Sequence, residues 1–348
     1  MKKIFVAVLA VAAMVACSTE QTIVAPQGEA IGFDTFVENS TRADITTSNL
    51  TEFGVYASIE NANGAGMILS NERVYNDSGW KYGNTQYWVP KANYEFTAFA
   101  PYTNAELDPA VTAHWTYTPA TTADNGDVTF NNKAAAADQD FIFAAADMNL
   151  TNVEALTQSP GVVNFTFAHQ LSKVAFKFNN DFDAVNNITL RVYNVNVAGL
   201  VSKATTAVTD GATGVWTKTA TSDTFARTFG TQVATGAENK ATIIAAQANI
   251  VTDYHYFIPV AETQYTVTFD VDIFQAGVLI DTYHHTVNTK PTLAKGGNYL
   301  FTTTLDASNV SDDPTKQLYP IEFNVTGVEG WDPANGNVDV MVPATGNN

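Results

Sequence analysis

Histidine supplies most metal ligands and acid–base groups that work near neutral pH, and the chain has five: His114, His169, His255, His284 and His285. None is spaced as His-x-x-x-His or set against cysteine in the way zinc sites require. His284 and His285 are neighbours in a strand-like run, which sends their side chains to opposite faces and keeps them from sharing one ion. Two carboxylate pairs, Asp138 with Asp140 and Asp312 with Asp313, have the residue types for acid–base work or a loose calcium site. Both fall in polar, turn-like stretches where solvation accounts for them. No Gly-x-Ser-x-Gly elbow, Walker loop or dinucleotide fingerprint occurs. The sequence thus offers no catalytic group, no metal site and no cofactor, and the chain is read as not an enzyme. Trp80, Trp88 and Trp115, with Tyr82, Tyr87 and Tyr117, have the chemistry of a sugar-stacking platform, although core or edge packing in a sandwich is the more common reason for such aromatics.

Two positions remain where covalent chemistry is expected. Lys2 and Lys3 precede an apolar run over residues 4–16, which is signal-peptide anatomy and too short to span a bilayer. The only cysteine, Cys17, follows Met14, Val15 and Ala16 where that run stops. The arrangement resembles a bacterial lipobox, whose cysteine is acylated and tied to outer-membrane lipid, with Met14 in place of the commoner leucine. A lone cysteine forms no internal disulfide, so an exported fold must rest on core burial and sheet hydrogen bonds. The second position is Arg42, one of four arginines with Arg73, Arg191 and Arg227. Arg42 alone lies in a polar stretch between the lipid anchor and the body, the kind of segment where proteases act.

The elements around these positions are short. Of 348 residues 45% are hydrophobic and 15% charged, with 14 Tyr and 21 Phe, enough apolar material for real cores. The length suggests two domains. A net charge of −18 argues against nucleic acid and anionic lipid surfaces as partners. Ile31, Phe33 and Val37 alternate with outward positions, a short strand with those three residues facing inward. Further runs at 53–59, 87–89, 94–100, 141–144, 162–167, 174–178 and 188–197 are each bounded by Gly, Pro, Asn or Asp. Others lie at 242–246, 254–260, 265–274, 278–287, 299–305, 321–325 and 338–342. No long 3.6-residue period competes with them, so the expected fold is all-β, built of antiparallel sandwiches. Residues 134–137 are expected to form one helical turn, and 205–221, rich in Thr, Ala and Gly, a mobile surface excursion. The Pro160–Gly161 turn is the expected boundary, giving a signal peptide at 1–16, a lipidated propeptide at 17–42 and domains at 43–160 and 161–348.

Several segments taken in order resemble the fimbrillin-like family of lipoprotein-derived, protease-matured pilus subunits. They are IGFDTF from Ile31 with STRA to Ala43, LTEFGVYA from Leu50, YEFTAFAPY from Tyr94, DFIFA from Asp140, FAHQLSKV from Phe167, KGGNYL from Lys295 and IEFNV from Ile321 leading to Trp331. The resemblance implies two transthyretin-like β-sandwich domains in tandem and cleavage between Arg42 and Ala43 by an arginine-specific protease. The strand of Ile31, Phe33 and Val37 is then expected to be displaced on maturation, leaving an apolar groove with unpaired backbone groups. Val338, Val340 and Val342 share one face and are the candidate donor strand from another subunit, or else an edge strand of their own domain. The implied partners are other pilus subunits, the maturation protease and outer-membrane lipid through Cys17. The implied place is the outer membrane for the precursor and a cell-surface fimbrium for the product, with adhesion as its role. A tip or accessory adhesin, or a glycan-binding surface lipoprotein using the tryptophans, are the alternatives.

Overall fold

Short β-branched and aromatic runs punctuated by turn residues fold as strands along the whole chain. The structure, a computed structural model, describes residues 29–37, 45–103, 114–133, 138–231, 243–313, 317 and 319–327. Its first nine strands are β1 (Gly32–Val37), β2 (Glu52–Asn61), β3 (Gly64–Asn76), β4 (Trp80–Tyr82), β5 (Asn93–Ala100), β6 (Trp115–Pro119), β7 (Gly126–Asn131), β8 (Ile142–Asn149) and β9 (Val162–His169). Next come β10 (Ser172–Asn180), β11 (Ile188–Val201), β12 (Lys203–Thr209), β13 (Ala212–Thr213), β14 (Thr217–Lys218), β15 (Thr224–Phe229) and β16 (Ile243–Ile244). The last are β17 (Asn249–Val251), β18 (His255–Phe257), β19 (Tyr265–Gln275), β20 (Val278–Thr289), β21 (Asn298–Leu305) and β22 (Asn324–Gly327). Among the described residues the only helical piece is a 3-10 turn at Ala184–Asn186, so the fold is all-β. The helical turn expected at 134–137 lies outside the described residues.

Seven strands form the first sheet, in the order β1-β9-β8-β5-β2-β3-β4. One face covers a core of Phe53, Val55, Tyr94, Phe96, Phe165 and Phe167. The other face carries Tyr56, Phe99, Phe141 and Phe143 against a smaller sheet, β13-β12-β7-β6. Because both faces are covered, β2 from Phe53 to Ser58 and β5 from Phe96 to Ala100 are buried without a break and read as continuous rather than alternating runs. The C-terminal half is two facing sheets, β17-β10-β21-β22 and β15-β11-β19-β20, around Phe176, Phe178, Val192, Val267, Phe269 and Phe301. Strand pairing is antiparallel apart from β1 with β9 and β10 with β21.

The structure departs from two expectations. Residues 205–221 are not an excursion: β12 pairs with β7 over six residues, and Trp216 is buried with its Nε1–H donated to the Gln170 carbonyl at 2.8 Å. Inward positions of β12 are Ala204, Thr206 and Val208, small because the facing sheet supplies Phe99, Phe141 and Phe143. Small side chains beneath large rings imitate a linker composition. The strand after Pro160–Gly161 is the second departure, since β9 belongs to the first sheet and the chain leaves that sheet only at His169.

Trp216 touches Phe130 and Phe141 from beyond that crossing, with ring centroids 6.4 and 6.5 Å apart, so the middle core joins the two halves of the chain. Replacing Trp216 with Ala is expected to cost about 3–5 kcal/mol. Chemical denaturation of the purified protein measures it, and a loss below about 1 kcal/mol would restore the view of 205–221 as a surface excursion.

Candidate functional site

β1 is the strand whose sequence pattern pointed to function, and its setting is unusual. It pairs in parallel with β9 over its whole length, from Gly32 opposite Val162 to Val37 opposite Phe167. A Cβ at position 32 would meet Val162 Cγ1 at 3.0 Å, so Gly32 lets the two strands close up. Ile31, Phe33 and Val37 are 1%, 6% and 4% exposed and point into the first core, while Phe36 faces out. The Phe33 ring stacks on Phe165 at 5.8 Å and meets the edges of Tyr82, Phe53 and Phe96 at 5.2, 6.4 and 6.2 Å. Aromatic pairs in such geometries contribute beyond their buried area.

Among the described residues, the other edge of β1 is held by clamps at its two ends and carries no ladder. The Tyr82 hydroxyl donates to the Ile31 carbonyl at 2.8 Å, and the Ile31 N–H donates to Gln86 O at 2.9 Å. At the far end the Val37 N–H donates to Thr47 Oγ1 at 2.9 Å. Removing β1 would therefore leave one open edge along β9 and uncover Phe53, Phe96 and Phe165. The chain continues from β1 through segment 38–44, which contains Arg42, to Ile45, whose N–H donates to Asp140 Oδ2 at 3.1 Å.

The other arginines are all held inside strands. Arg73 pairs with Glu52 at 2.5 Å, Arg191 with Asp272, and Arg227 with Asp138 at 2.6 Å. Cys17, Arg42, Ala43, Val338, Val340 and Val342 lie outside the described residues.

Groups with catalytic potential are engaged in holding the fold. Asp140 binds His169 at 2.8 Å, both side chains almost wholly buried. Asp138 binds Arg227 and His255 and accepts the Tyr256 N–H at 3.2 Å. Burial pushes the Asp138 carboxyl up, but its His255 and Arg227 partners outweigh that and hold it below the ordinary carboxylate range. These ties link β8 and its preceding loop to β9, β15 and β18; adjacent carboxylates in the sequence gave no sign of the histidines that pair with them. His284 faces out against Asp270 at 2.6 Å, whereas His285 is buried, stacked on Phe269 and bonded through Nε2 to the Val310 carbonyl at 3.0 Å. No group of His, Cys, Asp and Glu among the described residues is arranged to hold a metal ion. A cleft of about 300 Å³ beside Ile45 is lined by Asp138 and Asp140, both already paired. The tryptophans form no platform: Trp88 and Trp115 are buried in separate cores, and half-buried Trp80 packs edge-on against Phe53 at 4.9 Å.

A family model described as fimbrillin-like matches residues 41–326. The chain belongs to the fimbrillin-like family. Its structure is similar to that of a fimbrial protein from Bacteroides vulgatus, at 17% identity and a TM-score of 0.59, over 86% of this chain and 99% of the other. The fimbrial anchor protein Mfa2 from Porphyromonas gingivalis is matched at 10% identity and a TM-score of 0.39, over 88% of this chain and 100% of that one. No functionally curated protein matches the chain in sequence. For this fimbrillin-like chain the first similarity shows the all-β fold.

Away from β1, in the C-terminal half, His285 gives the fold a pH signature. Burial pushes its imidazole below the ordinary value of 6.5, against the opposing pull of the Val310 carbonyl. As pH falls, the unfolded chain takes up the proton first, so stability is unaffected above about pH 6.5 and declines below it until the folded imidazole also protonates. Unfolding free energy measured between pH 8 and 5 is expected to show that decline, and His285→Phe to reduce it; an unchanged slope in the variant would contradict the assignment.

Proposed function

We propose that the chain is a structural subunit of a cell-surface fimbria that serves adhesion, exported as a lipoprotein precursor held in the outer membrane through Cys17. An arginine-specific protease cuts between Arg42 and Ala43, β1 leaves with the propeptide, and the vacated seat takes a strand from another copy. The observation that carries this reading is the attachment of β1. Its side chains fill the first core, yet its covalent connection to the body runs through the segment that contains Arg42. One cut there turns an internal strand into a bound peptide.

Three further observations support it. Arg73, Arg191 and Arg227 lie within paired strands and ion pairs, which makes them poor targets for an arginine-specific protease. The fimbrillin-like match begins at residue 41, beside the expected cut. Val338, Val340 and Val342 repeat the every-second-residue spacing that places Ile31, Phe33 and Val37 inward. A C-terminal strand donated into the next copy's seat is a head-to-tail contact that does not close, and it propagates as a filament.

The test is to treat lipid-free precursor with an arginine-specific protease while following the new N-terminus by mass spectrometry and size by light scattering. A cut before Ala43 followed by fibres is the expected result. A clean cut that leaves a stable monomer would shift the reading to a tip or accessory adhesin. Resistance of Arg42 in the folded protein would reject maturation by this route. Val340→Asp is expected to be cut normally and to form no fibres, because an unpaired carboxylate in the apolar seat costs several kcal/mol; fibres from that variant would show that another segment is the donor.

A further inference from the structure

The contacts that seat β1 are separate from the bond whose cleavage is proposed to free it. Thr47 lies on the body side of the cut and grips the last residue of β1 in both directions. Its Oγ1 accepts the Val37 N–H at 2.9 Å and its hydroxyl faces the Val37 carbonyl at 3.4 Å. The turn that presents Thr47 is itself fixed. Thr46 N–H donates to Asn49 Oδ1 at 2.6 Å, Leu50 N–H to the Thr46 carbonyl at 2.9 Å, and Leu50 is buried in the same core as Val37. Just before the turn, Ile45 is tied to Asp140, which in turn holds His169 at the end of β9, the strand that β1 pairs with. At the opposite end Tyr82 and Gln86 hold Ile31.

We propose that the turn at 46–50, acting through Thr47, is a retention clasp that keeps β1 seated after the chain is cut, so that cleavage and strand release are separate steps. This rests on the reading of β1 as the strand given up on maturation. None of these contacts between described residues involves residue 42 or 43, so hydrolysis there leaves each of them in place. The cut subunit stays a closed monomer with its groove filled. Release begins at the Val37 end, where the clasp on the side away from β9 is the exposed Thr47. An incoming strand from a second copy that competes first at that end removes the clasp and then unzips the ladder toward Gly32. A subunit cut ahead of time is thereby kept from offering an open edge to the wrong partner.

The experiment uses the chain from Cys17 onward, labelled with a dye on its only cysteine, with the recognition sequence of an unrelated protease in place of residues 39–44. The break is then made whether or not Arg42 is the natural site. After cutting and dilution, loss of the labelled peptide is followed by fluorescence anisotropy. The expected result is a peptide retained far beyond the mixing time, released about tenfold faster from Thr47→Val and at nearly the original rate from Thr47→Ser, which keeps the hydroxyl. Because Thr47 is exposed, both variants fold, and an unchanged melting temperature of the uncut proteins checks this. Release within the mixing time, or equal rates in Thr47→Val and the parent, would overturn the clasp. Failure of the broader reading would instead show as an uncut Arg42 or an absence of fibres from the native sequence.

Discussion

Phe33 is wedged among Phe165, Phe53, Phe96 and Tyr82, and it reaches that position from a strand that, among the described residues, has a ladder along one edge. The rest of the first core is organised around the seat. Burying Ile31, Phe33 and Val37 contributes roughly 1.5–3 kcal/mol each, and the backbone hydrogen bonds to β9 add about 1 kcal/mol apiece. Such a sum is comparable with the whole 5–15 kcal/mol by which a domain is stable. A body without β1 is therefore not a relaxed alternative state; it has a strong drive to refill the groove. That drive is what could turn a folded monomer into an assembling unit, with no enzyme chemistry needed beyond the cut.

Under the proposed maturation the seat must keep its shape when β1 has left, and the middle core offers the means. The first sheet is covered on its second face by β6, β7 and β12, and β12 comes from beyond the crossing at His169. Trp216, Leu171, Tyr256 and Ile258 close the same core from the C-terminal half. The buried Asp140–His169 pair, with the more exposed Asp138–Arg227 pair beside it, adds fixed ties at the junction. Charge pairs removed from water are weak sources of stability, but losing one partner is costly, so they specify one arrangement of the loops around the groove. The groove's floor thus stands on interactions that β1 does not share.

Much of this was legible in the residues. The inward set of Ile31, Phe33 and Val37 came from a period of two, and strands near 94–100, 162–167 and 188–197 fell close to β5, β9 and β11. Opposite faces for His284 and His285 also came from strand geometry. β3 was not legible, because its pairing with β2 is bulged and Asn71 adopts φ 49°, which breaks the alternation. β12 was hidden by small side chains whose partners lie elsewhere in the chain. The pairing of β1 with β9 and of Asp140 with His169 joins residues far apart in sequence, and local pattern carries no record of which strand lies beside which. Among the tryptophans, residue type favoured core packing over a sugar platform, and burial agrees.

The most direct measurement is amide hydrogen exchange along β9, compared in the uncut precursor, in cut protein stripped of its propeptide, and in the assembled product. The account predicts that amides of Val163 to Phe167 on the β1 side are protected in the precursor, exchange rapidly once β1 is gone, and are protected again in fibres that contain no β1 peptide. Protection of β9 that survives removal of β1 in the monomer, or fibres in which β1 is still bound, would contradict the claim that β1 is a replaceable strand.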